Sequence, residues 1–445
     1  MLRLTFPFLI GLLLVLPALL IASLTRRWYP RVWGVTALRS LLWSLPVLGL
    51  VCLGLGQWAP RWGYDPTQTP LTTLIFLSLA AQFALLLTLP VSLFVLKSGS
   101  RRRKPRPLSA KNAAIAEAEA EAETETMVES PPVPASETAG GVAAEAPQPG
   151  PADPGRRRFL QIAAAAVPVV ATLGTTAGIA GTIDGPRCPL VRLEWNDLPG
   201  FLDGLRILHL SDLHLGLFTT LPQLATAIDR ARVHRPDLVV VTGDIANDLN
   251  LLPAAMVMIS ELNAPLGIFS TLGNHEYGTN VEIVRDMLAV TPGTLLRNFG
   301  MPIQVGNGDL FLAGVDDPEG RPLGQSEEDY MRDAVDLALQ RARPWMFTIL
   351  LTHRPWVFDL AAARGVHLTL AGHTHGGQVG FAGFSPLELL PGRRYRYPRG
   401  LYRIGNRQLY TSAGAGHWLP FRLGCPAEAP VYELRKSEAL APDQV

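Results

Sequence analysis

Five short segments in the C-terminal half carry side chains that bind cations, and each follows an apolar run of strand length. They are Asp212-Leu213-His214, Gly243-Asp244, Gly273-Asn274-His275-Glu276, Thr352-His353-Arg354-Pro355 and Gly372-His373-Thr374-His375. The runs before them are residues 205–210, 238–242, 266–272, 346–351 and 366–371. Taken singly, none is specific: a D-x-H tripeptide or a G-D pair is common by chance, and a lone His usually packs or faces solvent. Order, residue type and context give them weight, because open α/β sheets bind ligands where such strands end. Carboxylate, amide and imidazole groups gathered in this way read as one two-metal site.

The same order, D-x-H, G-D, G-N-H-E, a lone His and then G-H-x-H, resembles the calcineurin-like metallophosphoesterase superfamily. The resemblance runs from Gly204 to Leu434, about half of the chain. Within it, Gly372-His373-Thr374-His375-Gly376-Gly377-Gln378 is similar to the bacterial membrane-associated or exported phosphodiesterase branch. Residues 397–402, the Gly-rich 412–416, and Arg422 with Pro426 and Glu428 fit that branch as well.

Hydrolysis of a phosphate ester is slow because a hydroxide must approach an anion while a poor leaving group departs. Two divalent cations about 3.5–4 Å apart meet both demands, lowering the pKa of a shared water and neutralising the phosphoryl oxygens. The resemblance implies that Asp244 bridges such a pair. It implies that Asp212, His214 and His375 complete one site, and Asn274, His353 and His373 the other. His275 is assigned to leaving-group protonation or to charge stabilisation beside the phosphate. Mixed imidazole and carboxylate ligands argue for Mn, Fe, Zn or Co and against calcium. Alternate residues of an extended segment point to opposite sides, so His373 and His375 are expected to serve different ions. The family often has Asp three residues after the bridging Asp, where this chain has Asn247 followed by Asp248. Either Asp248 substitutes through a shifted loop, or His275 is a weaker acid and substrates with good leaving groups are favoured.

Strand runs alternate with helical patterns around these segments. Residues 221–232 place Leu221, Leu224, Ala225 and Ile228 on one helix face, and 282–288 and 327–341 are further helices. The end of the chain turns strand-rich at 376–381, 401–404, 408–412 and 431–435. The mixture is α/β, and the resemblance implies a two-sheet β-sandwich flanked by helices. His209 and His367 fall within strands and are expected to be buried and hydrogen-bonded. His234 precedes a turn. His417 either lines the cleft or packs. Asp316 and Asp317 either support the site or form a turn, and Arg354 either contacts phosphate or packs its stem.

The 445 residues are 48% hydrophobic and only 17% charged, with Lys and Arg (39) balancing Asp and Glu (38). The apolar excess is localised. Residues 6–24, 38–58 and 71–96 are each long enough to cross a hydrocarbon core about 30 Å thick as helices. Trp28, Tyr29, Trp33, Trp58, Trp62 and Tyr64 sit at their ends, as interfacial anchors do. The expected layout is a membrane region with three transmembrane helices at 1–100, a linker without a core at 101–155, a fourth hydrophobic segment at 156–183, and the phosphoesterase domain at 184–445. Arg156-Arg157-Arg158-Phe159-Leu160 resembles a twin-arginine export signal. A cleaved signal peptide at 6–24 and a plain fourth span at 159–183 are the alternatives. Basic residues at 26–31, 101–106 and 156–158 place those loops in the cytoplasm. The domain then faces the extracytoplasmic side of a multi-pass inner-membrane protein. Three cysteines are too few for a disulfide framework, although Cys188 and Cys425 flank the domain and could pair.

Taken together, these features describe a membrane-anchored, dinuclear-metal-dependent phosphoesterase acting on a phosphodiester or pyrophosphate in the cell envelope. The alternatives are a lipid-linked nucleotide pyrophosphatase and a non-catalytic receptor or scaffold with a retained metal site. Expected partners are a phosphoester substrate and the membrane, with lipid linkage of the substrate left open. Arg393, Arg394, Arg396 and Arg399 interleave with Tyr395 and Tyr397, but in an outward-facing domain they suit anionic lipid or envelope phosphates better than nucleic acid.

Overall fold

A computed structural model describes residues 185–381 and 383–437, most of 170–183, and residues 23 and 26. The expected spans at 1–100, the linker at 101–155 and the twin-arginine-like motif lie outside the described residues. Among those described, no helix is long and apolar enough to cross a membrane.

Two six-stranded sheets pack face to face with helices on their outer sides. The first has the order β1-β12-β2-β3-β4-β5, built from Leu190–Trp195 (β1), Arg206–Leu210 (β2), Leu238–Thr242 (β3), Ile268–Thr271 (β4), Thr294–Leu295 (β5) and Val431–Lys436 (β12). The second has the order β10-β11-β9-β8-β7-β6, built from Phe299–Val305 (β6), Gly308–Gly314 (β7), Phe347–Leu351 (β8), Leu368–Ala371 (β9), Gly400–Ile404 (β10) and Arg407–Thr411 (β11). Both sheets are mixed. β2, β3, β4 and β5 run parallel, as do β7, β8, β9 and β11, with antiparallel pairs β12–β2, β6–β7 and β10–β11.

The continuous apolar runs of the central strands follow from this layering, because a parallel strand covered on both faces has no polar side. In β3, Leu238 and Val240 enter the core between the sheets, where they join Leu312, Ile349, Leu368 and Tyr432. Val239 and Val241 face the other way, onto Leu224 and Ile228 of helix α1 (Leu221–Arg232) and Ala255 and Ile259 of α2 (Leu252–Ser260). The second sheet is covered likewise by Met331, Val335 and Ala338 of α5 (Glu327–Leu339) and Ala361 of α6 (Phe358–Ala363). Two short helices, α3 (Asn274–Thr279) and α4 (Val281–Ala289), follow β4.

One expected strand is absent. His375–Gln378 form a tight turn instead, because Gly376, Gly377 and Gln378 all take positive φ (59°, 70° and 56°), and only isolated bridges at Val379 and Phe381 follow. Cys188 and Cys425 are free thiols, with Cys188 donating to the Ala429 carbonyl (2.9 Å) and Cys425 to that of His375 (3.4 Å).

Candidate metal centre

The loops leaving β2, β3, β4, β8 and β9 meet at one end of the sandwich. Backbone bonds lock them together: Asp212 N–H donates to Gly243 O (3.1 Å), His214 N–H to Asp244 O (3.0 Å) and Gly372 N–H to His353 O (3.2 Å). The chain bends sharply to present its side chains. Asp212, His214, Asp244, His373 and His375 all occupy the left-handed region, with φ between 46° and 72°. That conformation costs a non-glycine residue about 1–3 kcal/mol and persists only where surrounding structure enforces it. His373 and His375 therefore do not alternate along an extended segment as expected. Two left-handed kinks aim them apart.

The approach is close enough to demand glycine at two points. A Cβ on Gly372 would stand 1.8 Å from Ser211 Oγ and 2.2 Å from Asp212 Oδ2, and one on Gly273 would stand 2.3 Å from Asp244 Oδ1. Glu276 completes the clamp. Its buried carboxylate accepts the N–H groups of Gly273 (2.6 Å), Asp244 (2.9 Å) and Ile245 (2.8 Å), tying the β3 and β4 loops together. Burial, reinforced by the charge of Asp244, pushes this carboxyl up to about 7 despite those donors.

Three groups of potential ligand atoms result, each with all its atoms within 4.8 Å of one another: Asp212, His214 and His375; His214, Asp244 and His275; and Asp244, His353 and His373. Asp244 belongs to the second and third groups and His214 to the first and second, and Asp244 Oδ2 lies 3.2 Å from His353 Nε2 and 3.6 Å from His214 Nε2. Asn274 Oδ1 is 3.2 Å from His353 Nε2, and His375 Nε2 is 3.4 Å from Asp212 Oδ1. All seven residues expected as ligands are thus brought together, with His275 beside them.

Second contacts set the imidazole tautomers. His353 Nδ1 faces the Thr242 carbonyl at 2.8 Å, which can only accept, so Nδ1 carries the proton and Nε2 faces Asp244. His214 Nδ1 is 2.9 Å from Asn247 Oδ1, which leaves the Nε2 lone pair turned toward His375 Nε2, 3.0 Å away. The other end of the Asn247 amide, Nδ2, donates to His275 Nδ1 (3.0 Å) and puts the remaining His275 proton on Nε2. Asp248 does not stand in for the family carboxylate. It caps the following turn by accepting from Asn250 N–H (3.1 Å).

Electrostatics follow this packing. Burial opposes charge on His353, yet Asp244 and Asp212 lift its pKa to about 10, and His353 with His214 holds Asp244 well below the usual carboxylate range against its own burial. Burial raises Asp212, opposed by His353 and by the Ser211 hydroxyl (2.5 Å). Burial depresses His275, His373 and His375, helped by neighbouring imidazoles and, for the last two, by Arg354 and Arg422 respectively. Neutral His373 and His375, the imidazoles of His214 and His353, a carboxylate held ionised beside them and an amide oxygen form a donor set that fits divalent transition-metal ions once His353 gives up its proton. One contact runs the other way: Arg354 Nη1 lies 2.7 Å from His373 Nε2, and a guanidinium can only donate. A cation on the neutral His373 ring requires that contact to open.

The centre forms the floor of a cleft of about 480 Å³ whose walls include Gln378, Leu387, Arg394, Tyr395, Trp418 and Leu419. A larger cavity of about 670 Å³, lined by Arg187, Cys188, Arg230 and Arg422, holds none of the candidate ligands. His417 lies outside the cleft wall, buried against Arg422 Nε (2.9 Å), and His209 is buried between Tyr432 Oη (2.8 Å) and Thr242 Oγ1 (2.7 Å). Asp317 holds Arg354 through two bonds (2.7 and 3.1 Å), and Asp316 pairs with Arg297. The arginine cluster is mostly neutralised, with Arg393, Arg394 and Arg396 paired to Glu328, Glu327 and Asp359.

The family model for calcineurin-like phosphoesterases matches residues 205–377, the stretch that contains every ligand candidate. A metallophosphoesterase of Bacillus subtilis, YkuE, is 31% identical over 246 residues, covering 54% of this chain and 82% of its own length. The chain belongs to the calcineurin-like metallophosphoesterases. It is therefore a metal-dependent phosphoric ester hydrolase, and the family uses divalent metals at clusters of this kind. The Escherichia coli phosphodiesterase YaeI is similar over 63% of this chain and 98% of its own, at 29% identity. A Bos taurus protein described as a transmembrane protein with a metallophosphoesterase domain is 29% identical over 61% of this chain and 62% of its own.

Several contributors to the metallophosphoesterase site were not singled out from sequence. Glu276 could have been, since a Glu at the third helical position reaching back to the helix start is a capping signal. The backbone carbonyl of Thr242, the Ser211 hydroxyl and the Trp418–Leu419 wall carry no such signal, because long-range contacts bring them in.

Proposed function

We propose that this chain is a membrane-anchored phosphoesterase that uses two divalent ions, from among Mn, Fe, Zn and Co, to hydrolyse a phosphodiester or pyrophosphate at the cell envelope. Asp244 would be shared by the ions, which Asp212, His214 and His375 on one side and Asn274, His353 and His373 on the other would hold. The placement of Asp244 with His353 and His373 in one ligand group, and beside His214 of the other, is the observation that carries this reading. Bound there, the ions would supply charge neutralisation at phosphorus and acidify water.

The chain's own residues do the rest. Thr242 O and Asn247 Oδ1 hold the Nδ1 protons of His353 and His214, so that the Nε2 atoms face the centre, where that of His353 would ligate on losing its proton. His275, in the cleft wall, keeps a proton on Nε2 because Asn247 donates to Nδ1. It serves as a neutral hydrogen-bond donor to the leaving oxygen while the P–O bond breaks and water oxygen adds to phosphorus. A neutral imidazole is a weaker acid aid than an imidazolium, so substrates with good leaving groups are favoured.

Residues 1–100 would form three spans, 101–155 a linker, and 156–183 a fourth segment that carries the domain at 184–445 to the extracytoplasmic side of the inner membrane. The apolar runs, their arginine flanks and the transmembrane relatives of Bos taurus and Danio rerio support this arrangement. The test is a phosphoester panel on the full chain in detergent, stripped and reloaded with one metal at a time. Two ions per chain and turnover of diesters or pyrophosphates only when loaded are expected. Bound metal without turnover on any member would overturn the proposal and favour a scaffold.

A further inference from the structure

We infer that the mouth of the cleft rests on a bilayer surface, and that the phosphoester it takes is carried on a lipid whose apolar chain stays in that bilayer. This rests on the phosphoesterase reading for the reaction, though not for the contact itself. Two segments form the mouth. One lines the cleft with Gln378 and Leu387 and exposes Phe381, Phe384 and Leu389 outside it, and the other lines it with Trp418 and Leu419 and exposes Leu423 outside it, with exposed fractions from 36% at Leu423 to 82% at Phe381. The segments are bolted together. The Gln378 amide donates to the carbonyls of Leu419 and Phe421 (2.9 Å each) and accepts from Leu419 N–H (2.9 Å), and Gly380 N–H donates to Leu423 O (2.8 Å). Single exposed apolar side chains need no explanation, but a contiguous group around a polar cleft marks a contact surface.

The point where the chain enters says what that surface meets. Residues 177–180 are helical and lie against the second segment: Arg422 N–H donates to Gly178 O (2.6 Å), and a Cβ on Gly178 would collide with the Phe421 ring at 2.1 Å. Leu423 Cδ2 comes within 4.0 Å of a Cβ position on Gly174, and Val170 and Leu173 on the same segment are exposed (65% and 64%). Apolar surface therefore continues from the mouth onto the segment whose sequence reads as membrane-inserting. The domain is tethered beside its mouth. Arg393, Arg394 and Arg396 are paired with carboxylates and Arg399 is turned onto the carbonyls of Gly383 and Gly424, so insertion of aromatic and aliphatic side chains, more than charge, supplies the attraction.

The test uses the full chain in vesicles of phosphatidylethanolamine and phosphatidylglycerol, with benzoylphenylalanine in place of Phe381 or, as control, of Val290, which is 85% exposed and away from the mouth. Irradiation should label lipid from position 381 and not from 290, with little change between low and high salt. Crosslinks to the chain's own N-terminal half, or none to lipid, would overturn the inference, whatever the enzyme's activity. In parallel, the F381S/L389S variant should keep turnover of a soluble nitrophenyl diester within about twofold. It should lose about tenfold or more on a phospholipid in mixed micelles. Equal losses on both substrates would also overturn it, whereas an inactive native chain that still labels lipid would count against the phosphoesterase reading alone.

Discussion

His275 and Asn247 show how one side chain fixes the chemistry of another. The amide accepts from His214 and donates to His275, so a single residue sets two tautomers. If His275 acts on the leaving oxygen, His275→Ala should lower kcat by about 100- to 10,000-fold, the range for a lost acid–base group. Metal content measured by mass spectrometry should stay at two ions, and loss of both would make His275 a ligand. Asn247→Asp places an acceptor on Nδ1 and should shift the alkaline limb of the pH profile upward, as the imidazolium becomes stable. His353 carries a second expectation. Its pKa is raised to about 10, so in the metal-free chain the imidazolium–Asp244 pair stabilises the fold fully below pH 6.5, and this contribution is lost as pH rises through 10. A metal ion competes for the same Nε2 lone pair. Apparent affinity should rise about tenfold per pH unit between 6.5 and 10, with one proton released on binding. Calorimetry in two buffers of different ionisation enthalpy would measure that proton, and zero release would contradict the assignment.

Loops between strands, rather than the strands themselves, shape the centre, and Glu276 is the clearest case. Glu276→Ala strands three buried N–H groups, each costing about 1–3 kcal/mol, so a loss of at least about 3 kcal/mol in urea unfolding is expected. Gly372→Ala drives a methyl into Ser211 and Asp212, and should weaken metal binding before it weakens the fold. Much at this scale was legible in sequence. β3 is read from its four successive apolar residues because both its faces are covered, and α1 from its 3.6-residue pattern. Helix α2 was missed because its apolar residues surround it rather than form a stripe. β1 was missed although Arg192 and Glu194 alternate with Leu193 and Trp195, a period-two signal that its charges obscured. The ligands were legible because strand ends place them and few residue types bind metal. The Thr242 carbonyl on His353 was not, since it joins residues 111 positions apart.

At the scale of the whole molecule, buried neutral histidines make the domain acid-sensitive. Burial holds His209 and His417 down to about 3, while in the unfolded chain both would protonate near 6.5. The unfolded state therefore binds more protons between those values, and stability should fall steadily as pH drops below 6.5. His209→Gln should flatten that slope in thermal melts, and an unchanged slope would place its cause elsewhere. The sheet order has another consequence. β12, the last strand among the described residues, lies between β1 and β2, parallel to one and antiparallel to the other. Until residues 431–436 emerge, the first strand has no neighbour and the strand leading to Asp212 has an open edge. The first sheet is thus completed only once residues 431–436 have been made, and a chain stopped at Pro430 should be captured by chaperones rather than by metal.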